Sequence, residues 1–371
     1  MQEADLPSLL NQVLCLAFAF AVVFGAIAQR THFCTMGAVA DIVNMGDWVR
    51  MRMWLLAIGV ATLGFNAMVA LGWVQAANSL YAAPRLLWLS HSVGGLMFGF
   101  GMVLASGCGS KTLVRIGGGS LKSLVVFVVL GIAAYATLRG ITAVARVTTV
   151  DAVGITLPAG QDLPSLLAVW TGAPRTVLAG WLGGGIGLGQ VALALSRREG
   201  RSAEVLLGGV GIGGVIVAVW WLSGRLAHLA EHPVTLEEVF LATNSQRMES
   251  LSFVAPFAYT LDWLMLFSDK SKLLTIGIVA TLGLVVGSAA VALLQRTFRW
   301  EGFGGVEDTA NHLLGAVLMG VGGIVALGCT VGQGLSGVST LSIGSYLSVL
   351  AIALGAVLAL RYQVWRLERM V

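Results

Sequence analysis

The sequence predicts an all-α polytopic membrane protein with about nine transmembrane helices. Of its 371 residues, 57% are apolar and only 11% are charged, and the mean hydropathy is +0.87. Soluble domains average roughly 45–50% apolar and 25% charged residues. A spanning helix needs about 20 mostly apolar residues. The stretches that qualify lie near 9–29, 53–75, 86–106, 122–145, 173–195, 203–223, 272–294, 311–328 and 342–360.

The basic residues indicate how these spans are oriented. With an outside N-terminus and alternating connections, 14 of the 22 Lys and Arg residues fall inside, as the positive-inside rule favours. They are Arg30, Arg50, Arg52, Lys111, Arg115, Lys122, Arg197, Arg198, Arg201, Arg296, Arg299, Arg361, Arg366 and Arg369. The outer side then holds the 146–172 loop and the acidic 224–271 connection. We therefore predict that the N-terminus is outside and the C-terminus inside.

Two local patterns within the 224–271 connection predict helices. Thr235-Leu-Glu-Glu238 is typical of a capping box, which starts a helix. The aromatic stretch from Phe257 to Phe267 is typical of an interfacial helix. We interpret this connection as a lid or a packing element rather than as a site of chemistry.

An internal repeat is the most informative feature of the sequence. Residues 91–108 and 312–329 share the frame HxxGxxxxGxGxxxAxGC without a gap, so that His91 aligns with His312 and Cys108 with Cys329. In the predicted topology the two copies cross the membrane in opposite directions. Inverted repeats of this kind place a binding site near the midplane, at the interface between repeats. We therefore predict a single transporter domain, 1–371, with repeat halves roughly 9–195 and 203–361.

Polar, glycine-rich runs follow the two repeated cysteines, at 109–120 and 330–340. They are too polar to face lipid, so we expect re-entrant loops or broken helices that line a cavity. A third segment, 29–37, likewise places Cys34 and Gly37 directly beyond an apolar helix. Cys15, in contrast, lies in the middle of an unbroken apolar stretch, where a cysteine is usually a small packing residue.

The spacing of the four cysteines predicts neither a disulfide framework nor a metal site, and we expect no cofactor. No basic run interleaved with aromatics indicates nucleic acid. A thiol is instead a weak, polarizable donor and acceptor that suits a soft sulfur anion, while free backbone N–H groups add further stabilisation. Lys111 and Arg115 add positive potential, or serve only as inner-face charges. The candidate transport residues are Cys34, Cys108, Cys329, Gly107, Gly109, Lys111, Gly328, Thr330 and Gln333.

The segments RTHFCTMG at 30–37, SGCG at 106–109 and LGCTVGQG at 327–334 resemble the YeeE/YedE family of bacterial sulfur-compound permeases. The resemblance covers essentially the whole membrane domain. Thiosulfate importers of this family use three cysteines along an hourglass path, and Cys34, Cys108 and Cys329 would fill those positions. The resemblance implies a non-enzymatic permease of a bacterial inner membrane that imports thiosulfate for sulfur assimilation. It also implies a small cytoplasmic TusA-like sulfur carrier as a partner.

Other interpretations remain open from the sequence alone. The transported species could be another sulfur or selenium anion. A membrane sulfurtransferase would carry a persulfide on a cysteine whose thiolate is stabilised by Lys111 or Arg115. A purely structural membrane subunit would explain the hydropathy, but it would leave two equivalent polar cysteine loops without a purpose.

Overall fold

The computed structural model describes residues 6–233 and 235–369, and it confirms the predicted all-α membrane protein. In these two ranges, eight helical segments are long and apolar enough to cross a bilayer. They are Leu6–Met45, Val49–Ala70, Trp88–Gly117, Leu121–Arg139, Arg175–Leu195, Ala203–Leu226, Ile276–Leu294 and Ile343–Glu368.

Some of these segments are broken, so that the individual helices are shorter and more numerous. They are α1 (Leu6–Arg30), α2 (Thr35–Met45), α3 (Val49–Ala70), α4 (Trp88–Leu104), α5 (Gly109–Gly117), α6 (Leu121–Arg139), α7 (Ile141–Thr148), α8 (Leu163–Thr171), α9 (Arg175–Leu195), α10 (Ala203–Trp221), α11 (Ala255–Met265), α12 (Ile276–Leu294), α13 (Val306–Val325) and α14 (Ile343–Glu368). Short 3₁₀ turns cover Ala76–Asn78, Leu80–Ala82 and Arg198–Arg201, and π-helical turns cover Leu222–Leu226 and Gly332–Gly337.

Two small antiparallel sheets tie the connections together. Strand β1 (Arg85–Leu86) pairs with β2 (Ile155–Thr156), and β3 (His228–Leu229) pairs with β4 (Val239–Phe240). The second pair folds the long connection between α10 and α12 back on itself. We call residues 227–275 of this connection the cap.

The ninth predicted span, 311–328, forms α13. This helix has 20 residues, with Glu307 and Asp308 in its first turn, and it is not among the eight long apolar segments above. It packs against α4 and α6.

Two local predictions need correction. The span predicted to reach residue 145 ends at Arg139, because the extended backbone of Gly140 breaks the helix before α7. The predicted capping box starts no helix: its Glu238 instead accepts from the His228 ring at 2.7 Å and leads into β4. The predicted helix in the aromatic stretch is confirmed as α11.

The repeated helices α4 and α13 cross in an antiparallel and reciprocal manner. A Cβ atom on Gly94 would lie 2.7 Å from the Gly322 carbonyl oxygen, and one on Gly315 would lie 2.6 Å from that of Gly101. In the sequence repeat, Gly94 corresponds to Gly315 and Gly101 to Gly322. The contact between Gly94 and Gly322 is therefore the repeat equivalent of the contact between Gly315 and Gly101. The two copies are therefore related by a local two-fold rotation at a contact that only glycine permits.

The chain leaves the two helices in the same way. Ser106 and Leu327 occupy equivalent positions and both adopt the left-handed region, with φ of 55° and 58°. The residue that follows donates its amide to the carbonyl five residues earlier in both copies. Gly107 donates to Met102 and Gly328 to Gly323, each at 2.8 Å. The repeat is therefore present both in the sequence and in the backbone geometry that positions each cysteine.

Candidate functional site

Each of the three predicted site cysteines stands directly before a short helix. Cys34 is the N-cap of α2 and Cys108 that of α5, both with extended backbone. Cys329 precedes a helical segment, 330–339, whose centre is π-helical. The first N–H groups of a helix have no partner within the helix and carry a partial positive charge. Three thiols therefore lie at three helix ends that favour negative charge.

Cys34 lies beside a basic side chain. Its thiol is buried and accepts a hydrogen bond from the Gly37 amide at 3.4 Å. The Arg50 guanidinium covers this turn, because a Cβ on Gly37 would lie 2.6 Å from its Nη1. Arg50 also approaches Asp41, with Nε 3.4 Å from Oδ2. The helix end at Cys34 thus lies beside a guanidinium group whose charge is shared with Asp41.

Cys108 connects the other two cysteines. It is completely buried, and its side chain interacts with that of Cys34. Its Sγ lies 3.4 Å from the Ser110 hydroxyl. It also interacts with the side chain of Thr330, whose buried hydroxyl has no further hydrogen-bond partner in the described chain. Since Thr330 follows Cys329, the three thiols form a row in the order Cys329, Cys108, Cys34.

Cys329 is held by the backbone on two sides. Its buried Sγ accepts hydrogen bonds from the amides of Gly332 and Phe253, both at 3.3 Å. The Ser252 hydroxyl lies 3.9 Å away. The cap therefore contributes directly to the surroundings of this cysteine.

Phe253 and Ser252 were missed by sequence reasoning. Phe253 contacts the surroundings of two cysteines. Its amide donates to the Cys329 thiol, and its carbonyl oxygen would lie 2.7 Å from a Cβ on Gly109, the residue after Cys108. Its buried ring packs against Phe24, with centroids 5.8 Å apart. Nothing in the local sequence marks this residue, since it lies in an irregular segment far from every cysteine along the chain.

Lys111 and Gly107 lie close to the pair of Cys34 and Cys108. The Lys111 side chain is partly buried, and its charge acts on both thiols. Its Cγ would lie 3.2 Å from a Cβ on Gly107, so the glycine makes room for the aliphatic part of the lysine. Arg115 adds a second positive charge nearby. We call the surface formed by Arg50, Lys111 and Arg115 the basic side.

Gln333 and Gly328 support the loop rather than approach a thiol. The Gln333 amide Nε2 donates to the Ala326 carbonyl at 2.6 Å, across the break after α13. A Cβ on Gly328 would lie 3.2 Å from the Gln333 Cγ. Gln333 is fully buried, and its Oε1 has no hydrogen-bond partner among the described residues. Both residues fix the backbone that positions Cys329.

The cap and the basic side lie at opposite ends of the helix bundle. Helices α1 and α12 run parallel, because Gly283 contacts Phe18 and Ser288 contacts Gln29. The cap leads into the start of α12. The basic side lies towards the other end of that helix, because Ser288, in its second half, donates at 2.6 Å to the carbonyl of Val114, which precedes Arg115 on α5. The row of three thiols thus leads from one end of the molecule towards the other.

The donor set favours a soft anion. Three free, buried thiols offer weak S–H donors and polarizable sulfur, while backbone amides and the basic side supply positive potential. Cys15 is exposed on α1 and lies apart from this row. Within the described ranges, no group of three or more His, Cys, Asp or Glu residues is arranged to hold a metal ion.

Comparison with known proteins places the chain among sulfur transporters. The family model described as Sulphur transport matches residues 30–358. The thiosulfate transporter TsuA of Escherichia coli (strain K12) is 27% identical over 84% of this chain and 83% of its own length. TsuA of Spirochaeta thermophila is 24% identical over 90% and 93%. The probable transporter YedE of Salmonella typhimurium (strain LT2) is 32% identical over 28% and 24%. The resemblance seen in the sequence is confirmed, and the chain belongs to the Sulphur transport family.

Proposed function

We propose that this protein is a bacterial inner-membrane permease that imports thiosulfate for sulfur assimilation. The observation that carries the proposal is the row of buried thiols, Cys329, Cys108 and Cys34, each at the start of a helix. Two relatives that align over most of their length are named thiosulfate transporters, which supports the same substrate for this chain.

The proposed orientation follows from the charges. The basic side faces the cytoplasm together with the C-terminus, and the cap faces the periplasm together with the N-terminus. In this arrangement the halves 9–195 and 203–361 form an inverted repeat, with 224–271 as the periplasmic connection. The antiparallel contact between α4 and α13 supports this division.

The proposed path uses several weak contacts instead of one strong site. Thiosulfate enters beside the cap and meets Cys329, passes Thr330 to Cys108, and leaves by way of Cys34 towards Lys111 and the cytoplasm. Each S–H group donates weakly, and each helix end contributes partial positive charge. Conduction requires sites that admit the ion and then release it, and weak thiol contacts meet both conditions.

A cytoplasmic protein that accepts the imported sulfur would complete the uptake of thiosulfate. We propose a TusA-like sulfur carrier as the partner that takes up the imported sulfur, in line with the family resemblance. Co-purification of the carrier with the membrane protein, and a loss of growth on thiosulfate when the carrier is deleted, would support this pairing. Growth at the normal rate without the carrier would contradict it.

The proposed substrate is tested by uptake into proteoliposomes and by growth rescue. Purified protein should take up ³⁵S-labelled thiosulfate, and unlabelled thiosulfate should compete better than sulfate, sulfite or selenite. Expression should restore growth on thiosulfate to a bacterium that lacks sulfate and thiosulfate uptake. Mass spectrometry after turnover should find unmodified cysteines. A persulfide on Cys108 without net uptake would instead indicate a sulfurtransferase.

A further inference from the structure

A cavity of about 170 Å³ opens beside Cys329 on the cap side. Ser252 and Gly328, the neighbours of that cysteine in space and in sequence, form part of its wall. Most of the remaining wall is apolar, from Leu138, Leu251 and Ile324 among others. An ion in this cavity would therefore lie next to Ser252, whose hydroxyl is 3.9 Å from the Cys329 thiol.

Glu249 is the only carboxylate among the residues that line this cavity in the described chain. Its Oε2 accepts a hydrogen bond from the Ser245 hydroxyl at 2.9 Å, and its backbone oxygen accepts one from Ser223 at 2.5 Å. In the described ranges it forms no salt bridge. An ionised carboxylate in this apolar wall would therefore lack a compensating charge.

The other elements around the cavity do not neutralise Glu249. Helix α7 supplies Arg146, but this arginine is paired with Asp151, with Nε 3.3 Å from Oδ2. Tyr81 and Tyr259 are uncharged at neutral pH. The wall residues from α12 and α13 are Ile276, Gly277, Gly323 and Ile324, and Arg139, Asp262 and Lys272 line a separate pocket behind Tyr259.

Burial in the cap raises the pKa of Glu249 to about 7, although hydrogen bonds from Ser245 and from the Asn244 backbone favour the charged form. The carboxyl is therefore neutral below this pH and ionised above it. Thiosulfate remains a dianion throughout this range. Two negative charges repel each other strongly where the dielectric is low.

We propose that the cavity is an entry site in which a dianion and a proton on Glu249 bind together. The inference rests on the proposed function, because it assumes that thiosulfate enters beside Cys329. A protonated Glu249 removes the repulsion and offers an O–H donor to the anion. An ionised Glu249 closes the same site to a dianion without any movement of the backbone.

The pH dependence of thiosulfate uptake into proteoliposomes tests this inference, with the internal pH held constant. The fraction of protein with neutral Glu249 falls about tenfold between pH 6 and pH 8, so KM should rise about tenfold. Glu249→Gln carries a permanently neutral side chain, and its KM at pH 8 should equal the wild-type value at pH 6. Glu237→Gln changes a cap carboxylate outside the cavity and should keep the wild-type dependence. If KM of the Glu249→Gln variant still rose about tenfold between these pH values, the inference would be overturned.

A second variant covers the case in which Glu249→Gln does not fold. Ser245→Ala removes a hydrogen bond to the ionised carboxylate, so the midpoint of the pH profile should move to higher pH. An unchanged midpoint would contradict a role for Glu249. Uptake that is independent of pH in the wild type would refute this inference alone, whereas no uptake at any pH would refute the proposed function itself.

Discussion

The backbone amide of Phe253 donates a hydrogen bond to the thiol of Cys329 at 3.3 Å, across 76 residues of sequence. A segment of the cap therefore forms part of the surroundings of a buried cysteine. The same residue approaches Gly109, which follows Cys108. The cap is thus integrated into the proposed path, and the path depends on both repeat copies and on the connection between them.

The first prediction concerns the individual thiols. Replacing Cys34, Cys108 or Cys329 by alanine should each lower the initial rate of thiosulfate uptake at least about tenfold, because each change removes one site from a serial path. Cys15→Ala is the control for a cysteine outside the row, since Cys15 is exposed on α1, and it should keep wild-type uptake. Equal losses in all four variants would contradict a role that is specific to the three buried thiols.

The second prediction concerns Lys111. Its charge acts on both Cys34 and Cys108, so Lys111→Gln should raise KM for thiosulfate about threefold to tenfold, which corresponds to about 0.7–1.4 kcal/mol. Lys111→Arg should retain most of the affinity. Lys122→Gln serves as a control, because Lys122 is already paired with Glu301 at 2.7 Å. An unaltered KM in Lys111→Gln would indicate that this lysine serves only to orient the protein in the membrane.

The third prediction concerns the glycine contact between α4 and α13. Gly94→Ala would place a Cβ 2.4 Å from the Ala326 backbone nitrogen, so the helices must separate, at a cost of about 1–3 kcal/mol. Its melting temperature in detergent should fall. Gly185→Ala on α9 meets no atom within 4 Å, and it should leave the melting temperature unchanged or slightly higher. Similar melting temperatures for the two variants would contradict the close contact.

The fourth prediction concerns the orientation in the membrane. A reporter fused after Val371 should be cytoplasmic, and one inserted near Glu237 in the cap should be periplasmic. The reverse result would place the basic side outside. It would invert both repeat copies together and leave their antiparallel contact intact.

Much of this architecture is predictable from the sequence because it depends on local hydropathy and on an ungapped repeat. Eight of the predicted spans coincide with long apolar helices, and the ninth with α13. The glycines shared by both copies, such as Gly94 and Gly315, have a direct structural reason, since each faces the backbone of the other helix. The equivalence of Cys108 and Cys329 likewise extends to the chain breaks that precede them.

The features that sequence reasoning missed depend on contacts between distant segments. Phe253 and Glu249 lie in an irregular stretch without periodicity, and only the folded cap brings them beside Cys329 and its cavity. Glu238 satisfies a capping pattern, but its tertiary partner is His228, which favours a strand pair over a helix start. The bond from the Gln333 amide to Ala326 likewise depends on how the chain turns after α13, which no local pattern reveals.

Ligand protection of single cysteines tests the central claim most directly. In variants that retain only Cys108 or only Cys329, a small thiol reagent should modify the remaining thiol, and saturating thiosulfate should slow both reactions. Sulfate has the same charge but a hard oxygen in place of the terminal sulfur, so it should protect much less. Equal protection by sulfate would contradict recognition by thiols, and no protection at either cysteine would contradict the path itself.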